Sequence, residues 1–354
     1  MLKIGILLGD DIGLEVVPEA VKVMKAAAAK TGLAIEWHPL PIGRAAHATH
    51  GHTMPEETVE ALKGMHGWLM GPIGHSAYPQ KDPTWINPNL RKKFELFASV
   101  KPVRSYPTLP SVHKGMDVVF VRETTEGLTR SGTMVAGAGE FRPNDEISIG
   151  MRVVTRKGAH RVARVACEIA ATRARKKVVT VHKAPTFKLV CGMFAEECHK
   201  AAKDFPDVVM EDVLIDSFAL KLAMKPQQYD VVVTTNTFGD ILTDLGAGLA
   251  GGLGLAPGMC VGETQAMAQA THGSAPDIAG RGIANPYAMI MSGKMLFDWL
   301  GIRRNEPKAA AAAALIERAV EQVIAAGREL TGDLGGSAST AQMGDAIARA
   351  IATV

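Results

Sequence analysis

The stretch NTFGDILTDLGAG, residues 236–248, carries two aspartates, Asp240 and Asp244, shortly after the apolar run YDVVVTT. In a helix this spacing places both carboxylates on one face, with their Cβ atoms about 6 Å apart. Two like charges this close repel each other unless a cation lies between them, and oxygen ligands suit Mg²⁺ or Mn²⁺. Alternatively, both are acidic residues favoured by the dipole at a helix start. The spacing alone leaves both interpretations open.

Other residues able to take part in chemistry end apolar runs that are typical of strands. Asp216 closes VVMEDVLID and Lys183 closes VVTVHK. Ligand sites of open α/β sheets gather at the carboxyl ends of strands, so Asp216 is a candidate third metal ligand. Lys183 can act as an acid or base if burial or a metal lowers its pKa. Basic residues near other strand ends suit an anionic substrate, and these are Arg91, Lys101, Arg104 and Arg122.

The loop HGSAPDIAG, residues 272–280, combines small residues with one acid. Gly273, Ser274 and Ala275 would let a ligand approach the backbone. Asp277 can accept hydrogen bonds from the hydroxyl groups of a ribose. An ordinary loop is the alternative interpretation. No GxGxxG motif follows the first strand, where the sequence is GDDIGLE, so a dinucleotide would need a different kind of site.

Alternating strand-like and helix-like segments must position these residues. This rhythm predicts an α/β fold with a mostly parallel sheet flanked by helices. In the first part of the chain, strands are predicted over 3–10, 35–41 and 67–74, and helices over 14–30, 55–65 and 90–100. Further strands are predicted over 116–123, 178–183, 208–216 and 229–235. The segment 131–155 instead has the pattern of hairpin or arm strands.

Composition narrows the function classes. A chain of 354 residues favours two domains. A net charge of +3 with scattered basic residues argues against a nucleic-acid partner. No apolar run reaches membrane-spanning length and the N-terminus has no signal-peptide pattern, so we expect a cytoplasmic protein without a membrane partner. The four cysteines form no CxxC pair, and buried thiols are favoured over a zinc site at Cys191, Cys198 and His199.

Taken together, the chain resembles the β-decarboxylating dehydrogenases, the family of isocitrate, isopropylmalate and tartrate or D-malate dehydrogenases, and lies nearest the tartrate/D-malate branch. Its motifs are GDDIGLEV, LRKKFELFASVKPVR, VRETTEG, VTVHKA, NTFGDILTDLGAGLAGGLG and HGSAPDIAGRGIANP, spread over nearly the whole chain. The resemblance implies an isopropylmalate-dehydrogenase-like two-domain fold with a non-Rossmann NAD site. Residues 1–99 and 253–354 would form a large cofactor-binding domain. Residues 100–252 would form a small central domain with the dimer interface and an arm at about 131–155.

The resemblance also implies roles for individual residues in a homodimer whose active site is shared between subunits. Asp240 and Asp244 would hold Mg²⁺ or Mn²⁺ together with Asp216 of the second subunit. Lys183, also from the second subunit, would take the proton of the substrate's 2-hydroxyl group. The positions of the family's carboxylate-binding arginines are occupied by Arg91, Lys101 and Arg122. The residues implied in NAD binding are Ile12, His272, Gly273, Ser274, Ala275, Asp277, Ile278 and Asn285.

The choice between NAD and NADP is expected to depend on Asp277 and Ile278. NADP-dependent relatives carry lysine and tyrosine at these two positions, where the cation meets the 2′-phosphate. An aspartate would repel that phosphate and accept the ribose hydroxyls instead. The sequence therefore predicts NAD as the cofactor.

Four positions depart from the family's pattern. Thr129 stands where the family has a catalytic tyrosine, Lys101 replaces an arginine, Pro185 replaces an asparagine, and Trp85 replaces the serine of isocitrate enzymes. One interpretation is an NAD-dependent dehydrogenase of a malate-, tartrate- or isopropylmalate-like 2-hydroxy di- or tricarboxylate, with β-decarboxylation retained or slowed. The other is a catalytically weakened member that binds NAD or a metabolite for regulation. The enzyme is favoured because Lys183 and the three aspartates are retained.

Overall fold

The computed structural model describes residues 1–78, 86–127 and 139–354, so Trp85 and Thr129 lie outside the described residues. The chain divides into two compact units, each described here by itself. Unit 1 comprises 1–87, 106–111 and 251–354, and unit 2 comprises 88–105 and 112–250. The predicted domain limits, 1–99 with 253–354 and 100–252, stay a prediction; the compact units place residues 88–99 with the central part of the chain.

The strands alternate with helices along much of the chain. The strands are β1 (Leu2–Leu7), β2 (Ile35–Pro39), β3 (Gly67–Met70), β4 (Ala98–Arg104), β5 (Asp117–Glu123), β6 (Glu140–Asn144), β7 (Ile147–Gly150), β8 (Lys177–His182), β9 (Val209–Leu214), β10 (Val231–Thr234), β11 (Met259–Val261) and β12 (Ala266–Ala268). The helices are α1 (Gly13–Thr31), α2 (Gly43–His50), α3 (Glu56–Lys63), α4 (Ile86–Lys93), α5 (Arg156–Thr172), α6 (Val190–Ala202), α7 (Ile215–Met224), α8 (Asn236–Ala250), α9 (Tyr287–Arg303), α10 (Pro307–Ala326) and α11 (Thr340–Thr353).

In unit 1 the strand order is β2-β1-β3-β12-β11. The first four strands pair in parallel, and β11 is antiparallel to β12. Helices α1, α9, α10 and α11 pack against one another beside these strands. Helix α9 is buried around most of its circumference, which explains its nearly continuous apolar sequence.

In unit 2 the strand order is β4-β5-β10-β8-β9. Strands β5, β10, β8 and β9 pair in parallel, and β4 is antiparallel to β5. The core beneath α7 and α8 contains Phe120 and Phe218, whose rings meet edge to face at 6.4 Å. The predicted α/β fold with a mostly parallel sheet is confirmed. Among the described residues, no helix is both long and apolar enough to span a membrane.

The helix predicted over 90–100 requires correction. Helix α4 ends at Lys93, and Ala98–Arg104 forms strand β4. Glu95 adopts a φ of +46°, which is incompatible with continued helix. The segment FELFASV has too little periodicity to separate a buried strand from a helix, and pairing with β5 decides the outcome.

Strands β6 and β7 form an antiparallel hairpin whose residues are all exposed. The base of the hairpin segment is closed by backbone hydrogen bonds between Gly127 and Val153, at 3.0 and 3.2 Å. Part of the predicted arm, residues 131–138, lies outside the described residues. Phe141, Ile147 and Ile149 are exposed apolar side chains on this hairpin.

Candidate active site

Arg122 lies on β5 in unit 2 and is held by the beginning of α8. Its Nη2 donates to Asn236 Oδ1 at 2.8 Å, and its Nη1 forms an ion pair with Asp240. The Arg122 side chain is 9% exposed, whereas the Asp240 side chain is 61% exposed. The buried guanidinium of Arg122, on β5, is therefore held beside the accessible carboxylate of Asp240, on α8.

Lys101 lies on β4, on the same sheet face as Arg122. The register pairs Lys101 with Phe120 and Ser99 with Arg122, so the two cations are diagonal neighbours on adjacent strands. Burial lowers the pKa of Lys101 to about 8, assisted by the charges of Arg122 and Arg91, while Asp244 and Asp240 oppose the shift. The Lys101 ammonium also donates to Thr243 Oγ1 at 3.2 Å.

Arg91 is in the last turn of α4, and its charge is close enough to lower the pKa of Lys101. Its Nε is buried and, within the part of the chain that the structure describes, has no hydrogen-bond partner. A buried donor without a partner costs free energy, so this atom suits an acceptor brought by a ligand. The structure therefore brings Arg91, Lys101 and Arg122 together, and their role in binding a substrate stays a prediction.

Helix α8 approaches these strands through small residues. A Cβ atom at Gly239 would lie 2.5, 2.7 and 3.0 Å from the Cγ, Cβ and Cδ atoms of Arg122. A Cβ at Gly246 would lie 2.8 Å from the ring of Phe120, and Thr243 between them accepts from Lys101. Because residue 239 is glycine, α8 can pack closely against the aliphatic part of the Arg122 side chain.

We expect Gly239→Ala to lower the free energy of unfolding of unit 2 by about 1–3 kcal/mol, because the methyl group cannot fit beside Arg122 without displacing it. Gly248→Ala is the matched control on the same helix, since its Cβ would meet nothing within 4 Å. That change should be neutral or stabilising by up to about 1 kcal/mol, because alanine favours helix. Urea unfolding of both variants checks the pair, and equal effects would contradict the steric explanation.

Asp240 and Asp244 are the two carboxylates suited to a divalent cation. They lie on successive turns of α8, and the negative charge of each one acts to raise the pKa of Lys101. Their oxygens are of the type that Mg²⁺ and Mn²⁺ prefer. Within the described parts of a single chain, no group of three His, Cys, Asp or Glu residues is placed to hold a metal. The two aspartates therefore fit part of a site, and a further oxygen ligand must come from elsewhere.

Asp216 and Lys183 form a pair of their own in unit 2. Lys183 Nζ lies 2.6 Å from Asp216 Oδ1, and the lysine is the main cause that lowers the pKa of this carboxyl group. Asp216 lies in the first turn of α7, and its side chain is 63% exposed. One chain therefore holds the predicted base and the predicted third ligand together, while Asp240 pairs with Arg122.

In unit 1 the loop 272–280 is linked to the beginning of α1. The backbone N–H of Ile12 donates to the carbonyl oxygen of Ser274 at 3.2 Å, and Gly280 N–H donates to Glu15 at 2.6 Å. Asp277 is exposed and Ile278 is half-buried, while Ala275 adopts a φ of +44°. The structure thus links Ile12, just before α1, to the predicted cofactor residues of the 272–280 loop.

His272 indicates that this loop can accept a ligand. Its Nδ1 donates to the Gly273 carbonyl oxygen at 3.0 Å, and burial lowers the pKa of the imidazole. Its Nε2 is buried and has no hydrogen-bond partner among the described residues. A Cβ at Gly273 would meet nothing within 4 Å, so the backbone there is open to close approach. A neutral acceptor beside accessible backbone fits a dinucleotide, whose ribose hydroxyl groups are hydrogen-bond donors.

Asn285 differs from the other predicted cofactor residues because both ends of its amide already have partners. Its Oδ1 accepts from Tyr287 N–H at 2.9 Å, and its Nδ2 donates to Asp333 at 2.9 Å. A direct role in cofactor binding would use the second N–H of the amide. That role stays a prediction.

Sequence reasoning did not single out Asp10, which organises three loops of unit 1. Its carboxylate accepts from Arg44 N–H at 2.8 Å, Gly74 N–H at 2.8 Å and the Tyr78 hydroxyl at 2.6 Å. The signal was present, since Asp10 ends the first strand-like run in the GDDIGLE motif. Asn236 and Gly239 were likewise overlooked, although both belong to NTFGD.

Two buried glutamates end β5 and follow it. Glu123 accepts from Thr125 and from Glu126 N–H, and Glu126 accepts from the Thr155 N–H and hydroxyl at 3.0 and 2.8 Å. Burial raises the pKa of Glu126 to about 7, and the Glu123 charge adds to the shift against the smaller effect of Arg161. The Glu126 carboxyl group therefore takes up a proton near neutral pH in the folded state.

Stability is expected to fall as pH rises from 4.5 to 7, because over this range the folded state retains a proton on Glu126 that the unfolded chain has lost. The full effect is about 3 kcal/mol. Glu126→Gln should remove this slope and be more stable than the parent at pH 8, since the amide keeps an acceptor for Thr155. Urea unfolding at several pH values tests this, with Glu146→Gln on the exposed hairpin as control. Parallel curves for Glu126→Gln and the parent would refute it.

Comparison with known proteins gives a consistent result. A family model described as isocitrate/isopropylmalate dehydrogenase matches residues 3–347. The chain is 40% identical over 351 residues to the isocitrate/homoisocitrate dehydrogenase of Thermus thermophilus, covering 99% of this chain and 98% of that one. It is 37% identical to the 3-isopropylmalate dehydrogenase of Archaeoglobus fulgidus, covering 98% and 99%. The isocitrate dehydrogenase structure from Methylococcus capsulatus matches with a TM-score of 0.86 and 38% identity over 99% of both chains.

The fold, the basic cluster formed by Arg91, Lys101 and Arg122, and these matches together define an oxidoreductase. The chain belongs to the isocitrate/isopropylmalate dehydrogenase family, whose dehydrogenases carry out oxidative decarboxylation with NAD(P) and a divalent metal. The predicted family is confirmed. Its placement nearest the tartrate/D-malate branch stays a prediction.

Proposed function

We propose that this protein is an NAD-dependent, metal-assisted dehydrogenase that oxidises a 2-hydroxy di- or tricarboxylate of the malate, tartrate or isopropylmalate type, with β-decarboxylation. The observation that carries the proposal is the convergence of Arg91, Lys101 and Arg122 beside two aspartates in unit 2. Three cations at one site match a substrate with more than one carboxylate. The buried, unpartnered Nε of Arg91 supports a ligand acceptor at the same place.

In this proposal Asp240 and Asp244 hold Mg²⁺ or Mn²⁺ with Asp216 of the second subunit of a homodimer. When bound, the cation would supply Lewis acidity and NAD would supply a hydride acceptor for oxidation of the 2-hydroxyl carbon. The basic cluster grips and orients the carboxylates. Lys183 of the second subunit takes the 2-hydroxyl proton at its Nζ. The exposed apolar residues of α7 and α8 support a dimer, and these are Leu220, Met224 and Ile241.

We propose NAD rather than NADP, with the exposed Asp277 taking the ribose hydroxyls in a cytoplasmic enzyme. A carboxylate here repels a 2′-phosphate, so kcat/KM should be at least about tenfold higher with NAD than with NADP. Steady-state kinetics with both cofactors check this. A higher value with NADP would contradict the assigned role of Asp277.

The function is tested with a panel of isocitrate, homoisocitrate, 3-isopropylmalate, malate and tartrate, supplied with NAD and Mn²⁺. NADH and CO₂ are followed at the same time. Formation of both supports the proposal, and NADH without CO₂ would indicate that decarboxylation is lost. In that event Thr129→Tyr is expected to restore full turnover through decarboxylation and protonation, because tyrosine supplies the acid that protonates the enol carbon left after CO₂ departs. NAD binding without turnover on any panel member would instead indicate the regulatory alternative.

A further inference from the structure

We infer that Asn236 is a positioning residue that holds the Arg122 guanidinium with a neutral acceptor, so that its charge stays available for a substrate carboxylate. This inference rests on the proposed function. Asn236 is 3% exposed, and its Oδ1 accepts from Arg122 Nη2 at 2.8 Å. The contact is therefore shielded from solvent.

Residues 236, 240 and 244 lie on one face of α8, because they are spaced four residues apart. Asn236 and Asp240 both contact Arg122, but their environments differ. The Asp240 carboxylate is 61% exposed and is also one of the two acids suited to a divalent cation. A cation bound by Asp240 competes with Arg122 for that carboxylate. Asn236 is then a contact on α8 that still orients the guanidinium.

The surroundings hold Asn236 itself in place. A Cβ at Gly127 would lie 2.8 Å from the Asn236 Cβ, so the last residue of the VRETTEG motif packs directly on this side chain. Gly239, one turn along, clamps the stem of Arg122. Two residues of the NTFGD segment thus position Arg122. Gly239 packs against its methylene groups, and Asn236 accepts a hydrogen bond from its guanidinium.

The neutrality of the acceptor has a physical consequence. A carboxylate at position 236 would bind Arg122 more strongly and would cancel much of the charge that a substrate carboxylate needs. It would also favour folding locally, because a negative charge at the beginning of α8 is stabilised by the helix dipole. Asn236→Asp is therefore expected to separate stability from substrate binding. An asparagine with only a packing role would not separate them.

The experiment compares Asn236→Asp and Asn236→Ala with the parent enzyme. We use the panel substrate that the parent turns over best. For Asn236→Asp we expect KM and the calorimetric Kd of the substrate to rise roughly tenfold or more, while kcat changes less than about threefold. The free energy of unfolding should be unchanged or higher, and the Kd for Mn²⁺ unchanged or lower. Asn236→Ala should also weaken substrate binding, because one acceptor of the guanidinium is lost.

Thr237→Asp is the matched control, because it adds the same charge one residue along, on a different face of α8, about 100° around the helix from residue 236. It should change KM less than about threefold. Substrate binding by Asn236→Asp within twofold of the parent would overturn the inference. Joint loss of substrate, Mn²⁺ and NAD binding would also overturn it, since that indicates general disruption. A parent enzyme that binds no panel member refutes the proposed function itself, whereas failure of this inference alone leaves parental turnover intact.

Discussion

Replacement of Lys183 by methionine is expected to lower kcat by about 100- to 10,000-fold, because the substrate's 2-hydroxyl group would lose its proposed base. Methionine keeps the length of the side chain and removes the amine. Binding of NAD, assigned to unit 1, should be unchanged. Kinetics with the best panel substrate and calorimetry with NAD measure the two quantities.

Lys177→Met is the matched control for Lys183→Met. Lys177 begins strand β8 and Lys183 directly follows its end, so the two lysines lie at opposite ends of one strand. Lys177→Met should retain kcat within about threefold, since its exposed ammonium only approaches Glu211 at 3.8 Å. A Lys183→Met enzyme with parental kcat would refute the assignment of the base.

The second large effect is expected at the two aspartates of α8. Asp240→Asn and Asp244→Asn should each weaken Mn²⁺ binding by about 100-fold or more, because loss of a ligand costs at least as much as loss of an outer-shell partner. Electron paramagnetic resonance titration of Mn²⁺ measures the affinity without turnover. Asp207→Asn, an exposed aspartate on another surface, is the control. Parental Mn²⁺ affinity in both α8 variants would refute the metal site.

The same variants test whether the active site is shared between subunits. In a mixed dimer of Lys183→Met with Asp240→Asn, one site would combine an intact Asp240 with an intact Lys183 from the other chain. Random pairing makes half of the dimers mixed, so co-expression should recover about a quarter of parental activity. Co-expression of two differently tagged Lys183→Met chains is the control and should recover none. Equal activity in the two preparations would contradict a shared site.

The sequence by itself determined the fold class and most of the candidate site residues. Strand and helix periods identified the parallel α/β architecture, because buried parallel strands are apolar on both faces and their connecting helices are amphipathic. Helical spacing placed Asp240 and Asp244 on one face but left a helix-start role equally open, and only the family resemblance favoured a metal site. Arg91, Lys101 and Arg122 were recognised from their types and positions. The sequence failed at 98–100, where the predicted end of a helix instead begins the antiparallel strand β4.

Only the tertiary structure decided how these residues act on one another. The pKa of Lys101 depends on burial and on the charges of Arg122, Asp244 and Asp240, which lie on β5 and α8. The pairing of Arg122 with Asn236 and Asp240, and the need for glycine at 239, arise where α8 packs on β5. Hydrophobic periodicity records which face of an element is buried. The partner of a polar group is selected by the packing of elements far apart in the chain, and local sequence carries little record of that choice.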